Sequence, residues 1–177
     1  PAGTRAVQRG AAWGNERAAG GQWGGRGGAG DWNDGRNRGG PAGGGESTWL
    51  GFCLHNVRCD FIPLGREQNE HVRAERYMTE SRRLATKLEK SWDGEWYRRA
   101  YFDDGSPLGS ASNPECRIDS IPQSWSVLSG AGDPARTRPA MDTVDKLLVR
   151  RQAAMIQLVD PPFDHSSLNP GYIKGYI

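Results

Sequence analysis

The stretch Trp92-Asp93-Gly94-Glu95-Trp96-Tyr97-Arg98-Arg99-Ala100-Tyr101-Phe102-Asp103-Asp104-Gly105, followed by the run from Glu115 to Trp125, decides the fold. Trp92-Asp93-Gly94 closes a charged helical segment upstream. Glu95–Phe102 alternates poorly but is rich in aromatic residues, and Asp103-Asp104-Gly105 is a turn signal, so a short hairpin is expected here. Asp119 or Ser120 can cap a helix that has Pro122 in its first turn and runs through Trp125, Val127 and Leu128 to a stop at Gly130.

Upstream, Glu46 to about Leu64 carries Trp49, Leu50, Phe52, Cys53, Leu54, Val57, Phe61 and Ile62. An apolar stripe that wide predicts a largely buried helix, with Gly65 as its stop. Residues 67–90 read as a charged helix with Val72, Tyr77, Met78, Leu84 and Leu88 toward the core. Downstream, Asp133-Pro134 opens a helix whose apolar face is Met141, Val144, Leu147 and Leu148, disturbed early by Pro139. Met155–Val159 is a short strand candidate closed by Pro161-Pro162, and the tail is loop. Paired helices with loops between them predict a mainly α fold with small β elements.

Residues 1–45 differ in kind. They hold sixteen of the twenty-five glycines, and Val7 is their one Val, Ile or Leu. Such a segment buries too little apolar surface to offset its ordering entropy, so it is expected to be largely irregular. The globular part is expected to be 46–177. Net charge is +2 with acids and bases interleaved, which gives no general attraction to nucleic acid. A single Arg-Gly-Gly near Trp13 and Trp23 is a weak RNA signal. No apolar run approaches the ~20 residues of a membrane span, and the first residues show no signal-peptide pattern. Cys53, Cys59 and Cys116 lack disulfide or zinc spacing and fit a reducing, cytoplasmic setting. His55, His71 and His165 are scattered, so no metal site is expected. No phosphate-binding loop of the G-x-x-x-x-G-K-[ST] type occurs.

One short run concentrates chemistry. Gly30-Asp31-Trp32-Asn33-Asp34-Gly35 places two carboxylates, an indole and a carboxamide between glycines. It supplies an acid, a stacking surface for a sugar ring and hydrogen-bonding groups. The plain alternative is a turn rich in Asp and Asn. Trp92, Trp96, Tyr97, Tyr101 and Phe102 are dense enough for a sugar platform, but a packed hairpin core is the preferred reading. Arg98 and Arg99 could bind phosphate, but a solvated hairpin edge is the preferred reading, and Asp103 and Asp104 are read as turn residues.

GDWNDGRNR, GESTWLG, WDGEWYRRAYFDDGSPLGS, CRIDSIPQSW, SGAGDPAR, PPFD and PGYIKGY, in that order, resemble the glycoside phosphorylases of glycoside hydrolase family 94. The similarity covers residues 30–176 and is closest to the phosphorylase-like domain of cyclic β-1,2-glucan synthases. The resemblance implies an (α/α)6-barrel catalytic domain, of which 46–177 is a part. It implies phosphorolysis of a β-glucan or β-glucoside oligosaccharide with inversion, releasing glucose 1-phosphate. Inorganic phosphate is then the co-substrate, and no metal or organic cofactor is required. An inverting hydrolase needs an acid and a base to activate water. Phosphate is already an anionic nucleophile, so the acid alone suffices, and the resemblance gives that role to Asp34.

Asp31 is then placed to raise the pKa of Asp34 or to anchor its loop, and Trp32 to stack on a glucosyl ring. Asp119 and Gln123, at the start of an inner barrel helix, and Lys174, in the GYIKGY motif, become candidate substrate contacts. Helix capping for Asp119 and an ordinary loop position for Lys174 are the alternatives. The chain lacks the family's HGLPLxG approach ahead of Asp31 and stops ahead of its PPGxRENGGQYTH segment. It is therefore expected to be a piece of a larger enzyme, inactive by itself, whose parent is attached to the inner membrane through other segments. A truncated or frameshifted remnant that binds glucan weakly is the alternative. Oligomeric state is not readable from the sequence.

Overall fold

The structure, a computed structural model, describes residues 25–26, 42, 44–167, 169–171 and 173–174. It is mainly α, as expected. Four helices carry it: α1 (Thr48–Glu67), α2 (His71–Leu88), α3 (Ser120–Leu128) and α4 (Pro134–Leu148). The strands described are two residues long: β1 (Gly25–Arg26), β2 (Glu46–Ser47), β3 (Ala100–Tyr101), β4 (Pro107–Leu108), β5 (Ile118–Asp119), β6 (Val149–Arg150), β7 (Met155–Ile156) and β8 (Val159–Asp160).

Strands β1 to β4 form one antiparallel sheet in sequence order, with Ser47 opposite Ala100 and Ala100 opposite Leu108. β5 pairs with β8, and β6 with β7, both antiparallel. α1 and α2 pack together as a helical hairpin. α1 also lies on α3, and α3 on α4. Phe52, Leu84, Leu88, Trp96, Tyr97, Ile118, Ala140, Val144 and Leu148 form the main core between helices and hairpin. A second cluster of Leu108, Cys116, Val159, Phe163 and Ile173 lies under the far side of the hairpin. The favoured reading of Trp96 and Tyr97 as packed core is what the structure has, at 4% and 0% exposure.

Three expectations about the first helical pair need correction. Gly65 does not end α1. It lies inside the helix, where a β-carbon would sit 3.4 Å from the Ala74 methyl, so its smallness lets α2 approach. The stop is Asn69, at φ 58°. The Asn69 N–H donates to the Arg66 carbonyl and the Glu70 N–H to the Gly65 carbonyl, the paired bonds of a Schellman motif. α1 is also less buried than its stripe suggests, since Val57 and Leu64 are exposed. Val72, expected in the core, is 88% exposed.

Further along, α4 runs unbroken through Pro139. Both Pro139 and Ala135, whose carbonyl loses its helical donor there, lie on the exposed face, where water can replace the bond. Ala140, not Met141, fills the core position. The strand expected over 155–159 splits in two, and its halves join different sheets. The hairpin turn forms as read, with Gly105 at φ 81° and its N–H bonded to the Phe102 carbonyl.

The hairpin closes tightly on itself at Gly109. Its φ is 76°, and a β-carbon there would lie 2.7 Å from both the Arg99 N and the Arg99 β-carbon. Gly109→Ala is therefore expected to lower unfolding free energy by about 2–4 kcal/mol, combining a left-handed backbone cost with overpacking. A urea denaturation midpoint unchanged from wild type would contradict this close packing.

Candidate functional site

Strand alternation builds the site. Tyr97, Arg99 and Tyr101 all point inward, at 0%, 0% and 6% exposure. Arg99 thereby carries a guanidinium into the interior. Its Nε lies 3.2 Å from Asp119 Oδ2, with side-chain exposures of 1% and 0%. A second guanidinium nitrogen donates to Ser47 Oγ at 3.0 Å, and the group lies 5.8 Å from the Trp49 ring centroid. The Arg99 backbone is held too, with its N–H on the Leu108 carbonyl and its carbonyl accepting from Thr48. One residue so joins β2, the start of α1, β4 and the start of α3.

Asp119 divides its carboxylate. Oδ2 faces Arg99, while Oδ1 accepts from the Ile121 N–H at 2.8 Å and caps α3. Gln123, one turn on, is fully buried. Its Oε1 accepts from the Tyr97 N–H at 2.8 Å. Its Nε2 donates to the carbonyls of Tyr97, at 2.8 Å, and Asp119, at 2.9 Å. The Gln123 amide thus acts as a strand partner for Tyr97, pinning the hairpin onto α3.

Around this centre the aromatic residues are tied down by polar groups. The Tyr97 hydroxyl donates to Glu89 Oε1 at 2.8 Å. The same carboxylate takes the Asp133 N–H and one nitrogen of Arg136. Burial first, and then the Glu89 carboxylate, hold the Tyr97 phenol above its ordinary pKa of 10.0. Trp96 Nε1 donates to the Gly109 carbonyl at 3.0 Å. Asp93 accepts from Arg98 Nε at 2.7 Å and from the Ala111 N–H at 2.7 Å.

Two exposed carboxylates clamp distant backbone. Asp103 accepts from the N–H groups of Ala42, Gly44 and Gly45 at 2.8, 2.7 and 2.9 Å. Glu115 accepts from those of Asp164, His165 and Ser166 at 3.0, 2.6 and 2.8 Å. The Ala42 bond is the main cause that lowers the Asp103 pKa, and the His165 bond does the same for Glu115.

Of the sequence candidates, Asp119 and Gln123 come together at the start of α3. Every hydrogen-bonding direction of the Gln123 amide just described serves the protein itself. Lys174 lies elsewhere, donating to the Ser166 carbonyl beside the segment that Glu115 holds. Asp31, Trp32 and Asp34 lie outside the described residues.

The solvated-edge reading of Arg99 is corrected: residues 95–102 alternate poorly, and the docked hairpin carries Arg99 inside at 0% exposure. Asp103 is more than a turn residue. Its partners lie 58 to 61 positions away, so no local signal marked them. Among the described residues no group of three His, Cys, Asp or Glu is arranged to hold a metal ion. No helix there is long and apolar enough to cross a membrane.

The sequence pattern of the Glycosyl hydrolase 94 superfamily, catalytic domain, matches residues 18–177. The chain is 48% identical over 147 residues to cyclic beta-(1,2)-glucan synthase NdvB of Rhizobium meliloti (strain 1021), covering 82% of this chain and 5% of that protein. It is 31% identical over 152 residues to solabiose phosphorylase of Paenibacillus borealis, covering 83% of this chain and 19% of that one. A 3-O-beta-D-glucopyranosyl-beta-D-glucuronide phosphorylase of the same organism is 34% identical over 141 residues, covering 79% and 18%. The chain belongs to the glycosyl hydrolase 94 superfamily, as part of its catalytic domain. It spans between a twentieth and a fifth of the length of these relatives.

Breaking the buried pair from either side strands a charge. Arg99→Met and Asp119→Asn are each expected to cost about 3–5 kcal/mol in urea unfolding, even though asparagine retains the cap. The double variant should lose clearly less than the sum, and strict additivity would show that the two groups do not interact.

Tyr97 sets an alkaline limit. Its folded pKa lies above the unfolded value, so its contribution is complete below pH 10 and is lost as pH rises beyond it. Tyr97→Phe should flatten the decline in stability above pH 10, measured by thermal unfolding. An equally steep decline in the variant would remove Tyr97 as the cause.

Proposed function

We propose that this chain supplies the proton donor and part of the scaffold of an inverting β-glucan or β-glucoside phosphorylase site of the cyclic β-1,2-glucan synthase type. The observation that carries the reading is the 48% identity to NdvB, within a family match that includes the Asp31–Asp34 run. Asp34 protonates the glycosidic oxygen while inorganic phosphate attacks the anomeric carbon from the opposite face. The bond to the leaving sugar breaks, and glucose 1-phosphate departs with inverted configuration. Asp31 sustains the protonated state of Asp34 by like charge, and Trp32 stacks on the glucosyl ring. Asp119, Gln123 and Lys174 remain candidate substrate contacts. No metal or organic cofactor enters this scheme. Three free cysteines fit a cytoplasmic setting.

A second reading has an observation in its favour. Asp119 and Gln123 are completely buried, and their described bonds are internal. The isolated chain would then be a non-catalytic piece with at most weak glucan binding, its site formed only within a longer protein.

The two readings meet in one experiment. The purified 177-residue chain is expected to release no glucose 1-phosphate from β-1,2-glucooligosaccharide and phosphate. NdvB in which residues 30–176 of this chain replace the matched stretch is expected to support phosphate-dependent release. Asp34→Asn in that chimera should lower the rate by about 10²–10⁴-fold, the usual scale of general acid catalysis. A chimera whose release is indifferent to Asp34→Asn would refute the assignment of the acid.

A further inference from the structure

We propose that Asp103 is a positioning residue of the phosphorylase site: its carboxylate grips the backbone just downstream of the Asp34 run and holds it against the β3–β4 hairpin. The inference rests on the reading of Asp34 as the acid.

The two neighbours of the hairpin turn do different work. Asp104 turns back on its own turn, accepting from the Ser106 N–H at 2.8 Å and the Ser106 hydroxyl at 2.6 Å. That is sufficient to shape the turn. Asp103 makes no such local bond among those described. It reaches back about sixty residues and takes three N–H groups from one short glycine-rich stretch. Convergent backbone donors of this kind form a concave anion site, and here the anion is the protein's own carboxylate. Gly44 fits the arrangement, because a β-carbon there would lie 3.2 Å from Asp103 Oδ1. The carboxylate is exposed, so this grip adds no core packing. What it adds is location.

The located segment matters because of what adjoins it. Immediately after Gly45, Glu46 and Ser47 form β2, pair with β3, and bring Ser47 to the buried Arg99. On the other side, Asp34 precedes Ala42 by eight residues, a reach of no more than roughly 28 Å of chain. Residues 35–45 include six glycines. The fixed point at Ala42, Gly44 and Gly45 lies between the acid and the scaffold that carries Asp119. Asp104 is the charged neighbour that opposes ionisation of Asp103. The three N–H bonds outweigh it, since the Asp103 pKa is lowered overall.

The test has two arms. In the 15N-labelled full chain, the amide resonances of Ala42, Gly44 and Gly45 should move together as Asp103 titrates, on the acid side of the ordinary carboxylate range. The bonds contribute above the unfolded pKa and are lost as pH falls through the folded one. Asp103→Asn should abolish that shared titration and speed exchange of the three amides, while Asp104→Asn leaves both intact. In the NdvB chimera, Asp103→Asn should lower kcat by about 10- to 100-fold with little change in KM. Formate should partly restore Asp103→Gly by occupying the same N–H groups. Amides that ignore Asp103, or an unchanged kcat in a chimera that Asp34→Asn disables, overturn the proposal. A chimera indifferent to Asp34→Asn overturns the reading of the acid, and this inference with it.

Discussion

A single buried ion pair, Arg99 with Asp119, sets the constraint that the rest of the structure obeys. Both side chains are essentially inaccessible, so neither charge can turn to water if the other leaves. The pair need not add net stability over an apolar substitute, because desolvation offsets much of the attraction. Its effect is on arrangement. Arg99 reaches Asp119 only if β3 has the register that points residues 97, 99 and 101 inward. Asp119 can meet Arg99 while capping α3 only if that helix begins where it does. Ser47 and Trp49 then have one place each around the guanidinium, and Leu108 and Gly109 one place each against the Arg99 backbone.

The strands explain why side chains carry so much of the joinery. Two-residue strands supply few ladder bonds, and isolated pairs of strands are marginal in water. The hairpin is instead attached by side chains acting as backbone partners. The Gln123 amide bonds both the N–H and the carbonyl of Tyr97. Glu89 gathers the Tyr97 hydroxyl, the Asp133 N–H and Arg136, joining the end of α2 to the start of α4. Asp103 and Glu115 do the same at the surface for segments about sixty and fifty residues away. Charge-assisted bonds suit this role, because they locate a loop without the apolar area that a loop of glycines or small polar residues lacks.

Much of this was legible in the sequence. Asp133-Pro134 and Asp119 announce their helices, and both caps are formed. Asp103-Asp104-Gly105 announces its turn. Val72 and Met141 as core rest on helical spacing, and spacing fixes a face without saying what covers it. Gly65 as a stop rests instead on the frequency of glycine just past helix ends. At Gly65 the deciding fact is the close approach of Ala74, a tertiary contact. Arg99 differs: residues 95–102 alternate poorly, so no period in the sequence points it inward, and its burial follows from how the hairpin docks. Its acceptor, Asp119, lies twenty positions on. The candidate contacts Asp119 and Gln123 lie at the start of α3. Their partners there, Arg99 and the Tyr97 backbone, depended on how the hairpin docks.

The same docking bears on how such a site tolerates change. A residue that only touches substrate can be replaced at the cost of that contact. Asp119 caps a helix and neutralises a buried arginine, so any additional role in binding sugar would be constrained by both duties. Contacts to a mobile substrate demand side chains with spare hydrogen-bonding capacity, and the Gln123 amide has committed the bonds described here. The buried pair and the Gln123 clasp together fix the hairpin on the start of α3.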